Sequence, residues 1–174
     1  MRLPMLVLAL LLTQACSPTP AAAAERRLTT DVARTATVSR VVDGDTFTVV
    51  GAGGGIIKVR VLGIDTPETK DPRKPVQCWG PEASRWAAEQ LQGRQVTLST
   101  DPTQAVRDYR GRLLAYVDRD GWDYSVEAAR AGMARAYIYD RPVQRAALIA
   151  DAEREARAGR RGLWGPPCEG GVAR

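Results

Sequence analysis

From Ala36 onward the chain alternates apolar and polar positions with a period of two. "ATVSRVV" (Ala36 to Val42) and "TFTVV" (Thr46 to Val50) are rich in β-branched residues, with "DGD" between them and the turn "GAGGG" after them. This is the pattern of half-buried strands joined by tight turns. "IIKVRVLGI" predicts a third strand over residues 56–64, with Ile57, Val59 and Val61 on one face and Lys58 and Arg60 on the other. A three-stranded meander follows.

The period then lengthens. In "GPEASRWAAEQLQG" Pro81 suits a first helical position and Gly93 a C-terminal cap, with Ala83, Trp86, Ala87 and Leu91 on one face. A helix of about three turns is predicted. "QVTLST" (Gln95 to Thr100) and "RLLAYVD" (Arg112 to Asp118) read as two further strands. "DYSVEAARAGM" reads as a helix capped by Asp123 and ended by Gly132, and residues 143–162 as a third, amphipathic helix with Glu153 and Arg157 spaced to pair. Five strands with helices after the third and fifth predict an α+β fold: a Greek-key barrel of the oligonucleotide-binding type (OB-fold) carrying three helices.

The N-terminus departs from both periods. Leu3 to Leu12 is an apolar run behind one positive charge, Arg2, and is too short to cross a bilayer as a stable helix. It reads as an export signal. Two processing sites compete: "LTQAC" resembles a bacterial lipobox that would lipidate Cys16, and "AAAAE" offers cleavage after Ala24. The lipobox is preferred because Ala24 lies far from the apolar run. The expected organisation is a signal over residues 1–16, a flexible tether over 17–34, a folded domain over 35–168 and a short tail over 169–174. The expected location is outside the cytoplasm, either lipid-anchored to the membrane or secreted, and a monomer is expected. In an oxidising compartment Cys78 and Cys168, the thiols left in the folded part, are expected to form a disulfide, with two separately buried thiols as the alternative.

Composition narrows the chemistry. There is no histidine among the 174 residues, which excludes a Ser-His-Asp triad, a Cys-His dyad and histidine-ligated zinc. Hydrolysis must then rest on carboxylates, arginines and tyrosines, with an oxygen-preferring cation such as Ca2+ or Mg2+. The net charge is +5 and arginine dominates the basic residues, a weak pointer to a polyanionic partner.

Two acidic clusters fit that chemistry. Asp43 and Asp45 flank Gly44 in "VVDGDTF", which alone is an ordinary hairpin turn. "IDTPE" adds Asp65 and Glu68 at the exit of the third strand, which a meander brings near that turn. Asp45 and Asp65 could share one hard cation with the Thr66 carbonyl, leaving Glu68 as a base. Arg60, and Arg110 with Arg112 in "DYRGRLLAY", would stabilise charge on a phosphodiester under attack.

In order along the chain, "DGDT", "VRVLGIDTPET", "GPEAS", "GRLLAY", "ARAYIY" and "GLWG" resemble the staphylococcal nuclease (thermonuclease) family from about Thr35 to Trp164. The resemblance implies a Ca2+-dependent phosphodiesterase on an OB-fold barrel that acts on DNA and RNA and leaves 3′-phosphates. It also implies roles: Asp45, Asp65 and the Thr66 carbonyl toward calcium, Glu68 as general base, Arg60 and Arg112 on the phosphate, and Tyr137 and Tyr139 beside the nucleotide. Asp43 is similar to a nearby acid that shapes the metal site. One departure stands out. Where the family has a basic residue followed by tyrosine, this chain has Tyr109 followed by Arg110, so Arg110 would take over the tyrosine's contact with substrate. Two other classes remain to be weighed: a noncatalytic nucleic-acid-binding barrel, and a glycosidase, which the arginines disfavour.

Overall fold

The computed structural model describes residues 34–171. The expected signal over residues 1–16, Cys16, Ala24, all but the last residue of the expected tether, and the end of the expected tail lie outside the described residues.

The strand patterns form a closed barrel. β1 (Arg34–Val41), β2 (Thr46–Gly51) and β3 (Ile56–Val61) make an antiparallel meander. β5 (Gln95–Ser99) pairs with β1, and β6 (Leu113–Arg119) pairs with β5. The parallel pairing of β3 with β6 shuts the ring. This is the five-stranded OB-type barrel, and its core is the inward face of the alternation: Val38, Phe47, Val49, Val59, Val96 and Val117 are fully buried. Each such side chain removed from water contributes about 1.5–3 kcal/mol.

The strand predicted over residues 56–64 is in fact two pieces. Gly63 has a φ of +78°, which turns the chain, and a Cβ there would lie 2.4 Å from Ile149 Cδ1. Beyond that turn β4 (Ile64–Asp65) leaves the barrel and pairs with β8 (Arg135–Ala136). The bend carries Asp65 out of the barrel wall and over its rim. β7 (Trp122–Asp123) extends β6 as a hairpin.

Three helices cover the barrel: α1 (Gly80–Leu91), α2 (Tyr124–Arg130) and α3 (Ala146–Ala158). In α1 Ala83, Ala87 and Leu91 are buried, while Gly93, with a φ of +73°, follows its end. Asp123 caps α2 by accepting the Val126 N–H. α3 is shorter at both ends than the predicted residues 143–162. At its start Arg145 is held outside the helix by Asp118 and Asp123, with its guanidinium 4.1 Å from the centre of the Tyr116 ring. At its end Arg160 takes a φ of +49°, which breaks the helix, and a 3-10 turn at Gly162–Trp164 follows. The guanidinium groups of Arg135 and Arg157 then lie over the Trp164 ring, 4.6 and 3.7 Å from its centre.

A disulfide joins Cys78 to Cys168, with Cα atoms 5.8 Å apart and 90 residues of separation. Glu169 and Gly170 dock just beyond it, the Gly170 N–H donating to the Leu163 carbonyl and Arg160 pairing with Glu169.

Candidate active site

Strand register assembles the site before any side chain is considered. Thr46 on β2 faces Arg60 on β3, and Arg60 faces Leu114 on β6, two residues after Arg112. The turn before β2 supplies Asp43 and Asp45, and β4 supplies Asp65 with Thr66 just beyond. All of these residues line one cleft of about 1110 Å³, together with Glu68, Arg110, Tyr137 and Tyr139.

Asp45 is at the centre and is 6% exposed. Its Oδ2 accepts the Thr66 N–H and the Thr66 hydroxyl, both at 2.9 Å, and its Oδ1 accepts the Thr46 hydroxyl at 3.0 Å. The expected meeting of the two acidic clusters is therefore realised through Thr66. Gly44 permits it, because a Cβ there would sit 2.7 Å from Thr66 Cγ2. Tyr124, wholly buried behind the turn, donates its hydroxyl to the Gly44 carbonyl at 2.6 Å. Burial, reinforced by the Asp45 and Asp43 carboxylates, pushes that phenol well above its ordinary pKa.

The acids repel one another. Burial and then the Asp45 charge push the Asp43 carboxyl up to about 7, and the same two causes raise Asp65. Arg60 partly offsets this: Nη2 donates to Asp65 Oδ1 at 3.0 Å and lies 3.4 Å from Asp45 Oδ2. Its Nη1 donates to the carbonyls of Val61 and Ile64, pinning the bend that carries Asp65. Arg60 is thus engaged with the acids, and an entering phosphate would share its fork.

Arg112 approaches from the other side. Asp108 accepts its Nε–H at 2.7 Å on Oδ2 and its backbone N–H on Oδ1, and Arg112 Nη1 donates to the Thr46 hydroxyl at 3.2 Å. A continuous path of hydrogen bonds therefore runs from Asp108 through Arg112 and Thr46 to Asp45. Gly111, with a φ of +77°, makes the turn that aims Arg112 inward while Tyr109 and Arg110 project to solvent. Arg110 Nε donates to the Tyr109 hydroxyl at 2.8 Å, so these two side chains form a pair at the cleft mouth.

Glu68 lines the same cleft and is held by backbone rather than by the acid cluster. Its Oε1 accepts the backbone N–H groups of Thr69, Lys70 and Asp71 at 2.7–3.0 Å, and no such bond falls on Oε2 among the described residues. Lys70 and Arg73 also line the cleft, and Arg73 forks onto Asp71. Tyr137 is tied to the rim by its N–H to the Gly63 carbonyl, and the residue is 43% exposed against 80% for Tyr139. Exposed aromatic faces beside a group of arginines suit a stacked base.

The donor set around Asp45 and Asp65 is entirely oxygen, which fits a hard cation and excludes a thiolate or imidazole site. Among the described residues no three acidic, cysteine or histidine side chains converge as a ready-made cage. Two carboxylates and the Thr66 carbonyl would leave much of a cation's shell to water and phosphate, and the raised pKa values mark negative charge that a cation would relieve.

Sequence reasoning named the residues that carry charge and missed those that hold them. Thr46, Asp108 and Tyr124 are structural partners of the site. Thr46 and Asp108 could have been read from their places in "DGDT" and "DYRGR", whereas nothing in the local sequence joins Tyr124 to Gly44.

The family profile described as "Staphylococcal nuclease homologue" matches residues 58–166. The chain is 37% identical over 127 residues to the thermonuclease of Staphylococcus intermedius, covering 73% of this chain and 74% of that protein. It is 35% identical over 127 residues to the thermonuclease of Staphylococcus hyicus, covering 73% of each. It is 36% identical over 129 residues to endonuclease YncB of Bacillus subtilis (strain 168), covering 74% of this chain and 60% of that protein. With this barrel, this cleft and these matches over most of its length, the chain belongs to the staphylococcal nuclease family.

Proposed function

We propose that the cleft is the active site of a Ca2+-dependent, sugar-nonspecific nuclease that hydrolyses DNA and RNA and leaves 3′-phosphates. That the chain is a phosphodiester-hydrolysing nuclease follows from its family and from relatives that are named thermonucleases and endonucleases. The observation that carries the finer reading is the convergence of Asp45, Asp65, Glu68, Arg60 and Arg112 on one cleft.

The polynucleotide phosphate enters between Arg60 and Arg112. Their guanidinium groups hydrogen-bond its nonbridging oxygens and stabilise the charge that builds as phosphorus becomes five-coordinate. Glu68 orients a water opposite the 5′-oxygen and accepts its proton as the new P–O bond forms and the bond to the 5′-oxygen breaks, and the leaving 5′-oxygen takes up a proton from solvent to become a hydroxyl. Asp45, Asp65 and the Thr66 carbonyl would hold Ca2+, which when bound supplies positive charge against the phosphate oxygens. Tyr137 and Tyr139 offer stacking faces to a base, and stacking tolerates any sequence. Arg110, at the cleft mouth with Tyr109, would meet a neighbouring phosphate.

The products test this directly. Digests of end-labelled DNA and RNA oligonucleotides are expected to carry 3′-phosphates that a phosphatase removes. Products with 3′-hydroxyls would overturn the assignment of the broken bond. The protein would act as a monomer outside the cytoplasm, anchored through a lipid on Cys16. A diacylated N-terminal cysteine in mass spectra of exported protein supports the anchor, and an N-terminus at Glu25 rejects it.

A further inference from the structure

The segment from Thr69 to Val76 leaves the cleft wall after Glu68 and returns at Gln77, and most of it is exposed. Its two ends are clasped by a reciprocal pair of hydrogen bonds. The Glu68 N–H donates to the Gln77 side-chain Oε1 at 2.8 Å, and the Gln77 N–H donates to the Glu68 carbonyl at 2.9 Å. The Glu68 carboxylate in turn gathers the N–H groups of Thr69, Lys70 and Asp71. Glu68 is therefore held by its own loop, and that loop is held closed by Gln77.

What holds Gln77 is the next residue. Cys78 is bonded to Cys168, a buried residue whose N–H donates to the Gly165 carbonyl just after the packed group of Ala156, Leu163 and Trp164. Trp79 packs against that group and donates its indole N–H to Met133 Sδ at 3.3 Å. Gly80 begins α1 directly under the clasp, where a Cβ would lie 2.6 Å from Thr69 Cγ2 and 3.3 Å from the Glu68 carbonyl oxygen. Without these anchors an exposed loop would carry Glu68 through many conformations.

We propose that Gln77 is a positioning residue for Glu68, and that the Cys78–Cys168 disulfide anchors Gln77 so that the loop presents the carboxylate at a fixed place in the cleft. The inference rests on the reading of Glu68 as the group that takes the water's proton. Misplacing such a group by about 1 Å costs roughly 100-fold in rate.

The test compares Gln77→Met, which keeps the side-chain length and loses the acceptor, with Gln77→Glu, which restores an acceptor. Glu68→Gln is run in parallel on single-stranded DNA with Ca2+ present. Gln77→Met is expected to lower kcat about 10- to 100-fold with KM within about two-fold, and Gln77→Glu to recover most of the loss. Hydrogen exchange at Thr69, Lys70 and Asp71 should accelerate in Gln77→Met while barrel amides stay protected. A wild-type kcat in Gln77→Met, or a lowered kcat with those loop amides still protected, would overturn the positioning role. If Glu68→Gln itself cuts at the wild-type rate, the underlying reading of Glu68 fails instead.

Reduction by dithiothreitol probes the anchor. The reagent's two thiols become a cyclic disulfide as Cys78 and Cys168 each take up an electron and a proton. The reduced, still folded protein is expected to lose kcat in step with faster exchange at Thr69 to Asp71, and to regain it on reoxidation. Unchanged kcat with two free thiols titrated per chain would remove the disulfide from the inference.

Discussion

At the scale of single residues the site works by pairing each charged group with a partner that fixes it. Arg112 depends on Asp108 for its direction and on Thr46 for its link to Asp45. Arg112→Lys keeps the charge and loses the planar fork, so kcat is expected to fall about 100- to 1000-fold with the fold intact. Steady-state cleavage alongside a thermal melt checks this, and a variant within a few-fold of wild type would show that charge alone suffices. The acids were legible in the sequence because two clusters, "DGD" and "IDTPE", fall where a meander brings them together, and Arg60 because it alternates with the apolar face of its strand. Their partners were not legible in the same way. Gln77 reaches Glu68 by closing a loop, and Tyr124 reaches Gly44 from far along the chain.

At the scale of elements, Asp101 is the joint between barrel and helices. It is 2% exposed, and it accepts the Tyr116 hydroxyl and the Gln144 N–H on Oδ2 and two Thr103 donors on Oδ1. Burial works to raise its pKa, but the hydrogen bonds from Tyr116, Gln144 and Thr103 outweigh it and hold the carboxyl below the usual range. The stability this adds is complete above the unfolded-state pKa of about 4, and it is lost as pH falls through the lower native value. Asp101→Asn puts an amide against donors and is expected to cost about 3 kcal/mol at pH 7. Urea melts should show that cost shrinking below about pH 4, and a pH-independent difference would contradict the assignment. Element types were legible because the period changed cleanly from two to 3.6. Element ends were less so: the shortening of α3 at Arg145 is set by Asp118 and Asp123, which periodicity along that helix does not reveal.

At the scale of the whole molecule the barrel is closed by strands and the C-terminus is closed by a covalent bond. The disulfide spans 90 residues, and in the chain-entropy account a loop of that length stabilises by about 4 to 5 kcal/mol. The double variant Cys78→Ser, Cys168→Ser should therefore unfold at markedly lower urea, and an unchanged midpoint would show that packing around Trp164 suffices. The barrel class was legible from strand count and spacing. Its parallel closure between β3 and β6 was not, because that pairing joins strands remote in sequence and leaves no local pattern. In the proposed mechanism this cleft cuts nucleic acid with a cation and Glu68. That mechanism is tested most directly by cleavage of single-stranded DNA by the purified folded part, with Ca2+ added or chelated, beside Glu68→Gln. The account predicts cutting that requires Ca2+ and falls by about 100- to 10,000-fold in the variant. Tight binding without cutting, or cutting that survives both chelation and Glu68→Gln, would contradict it.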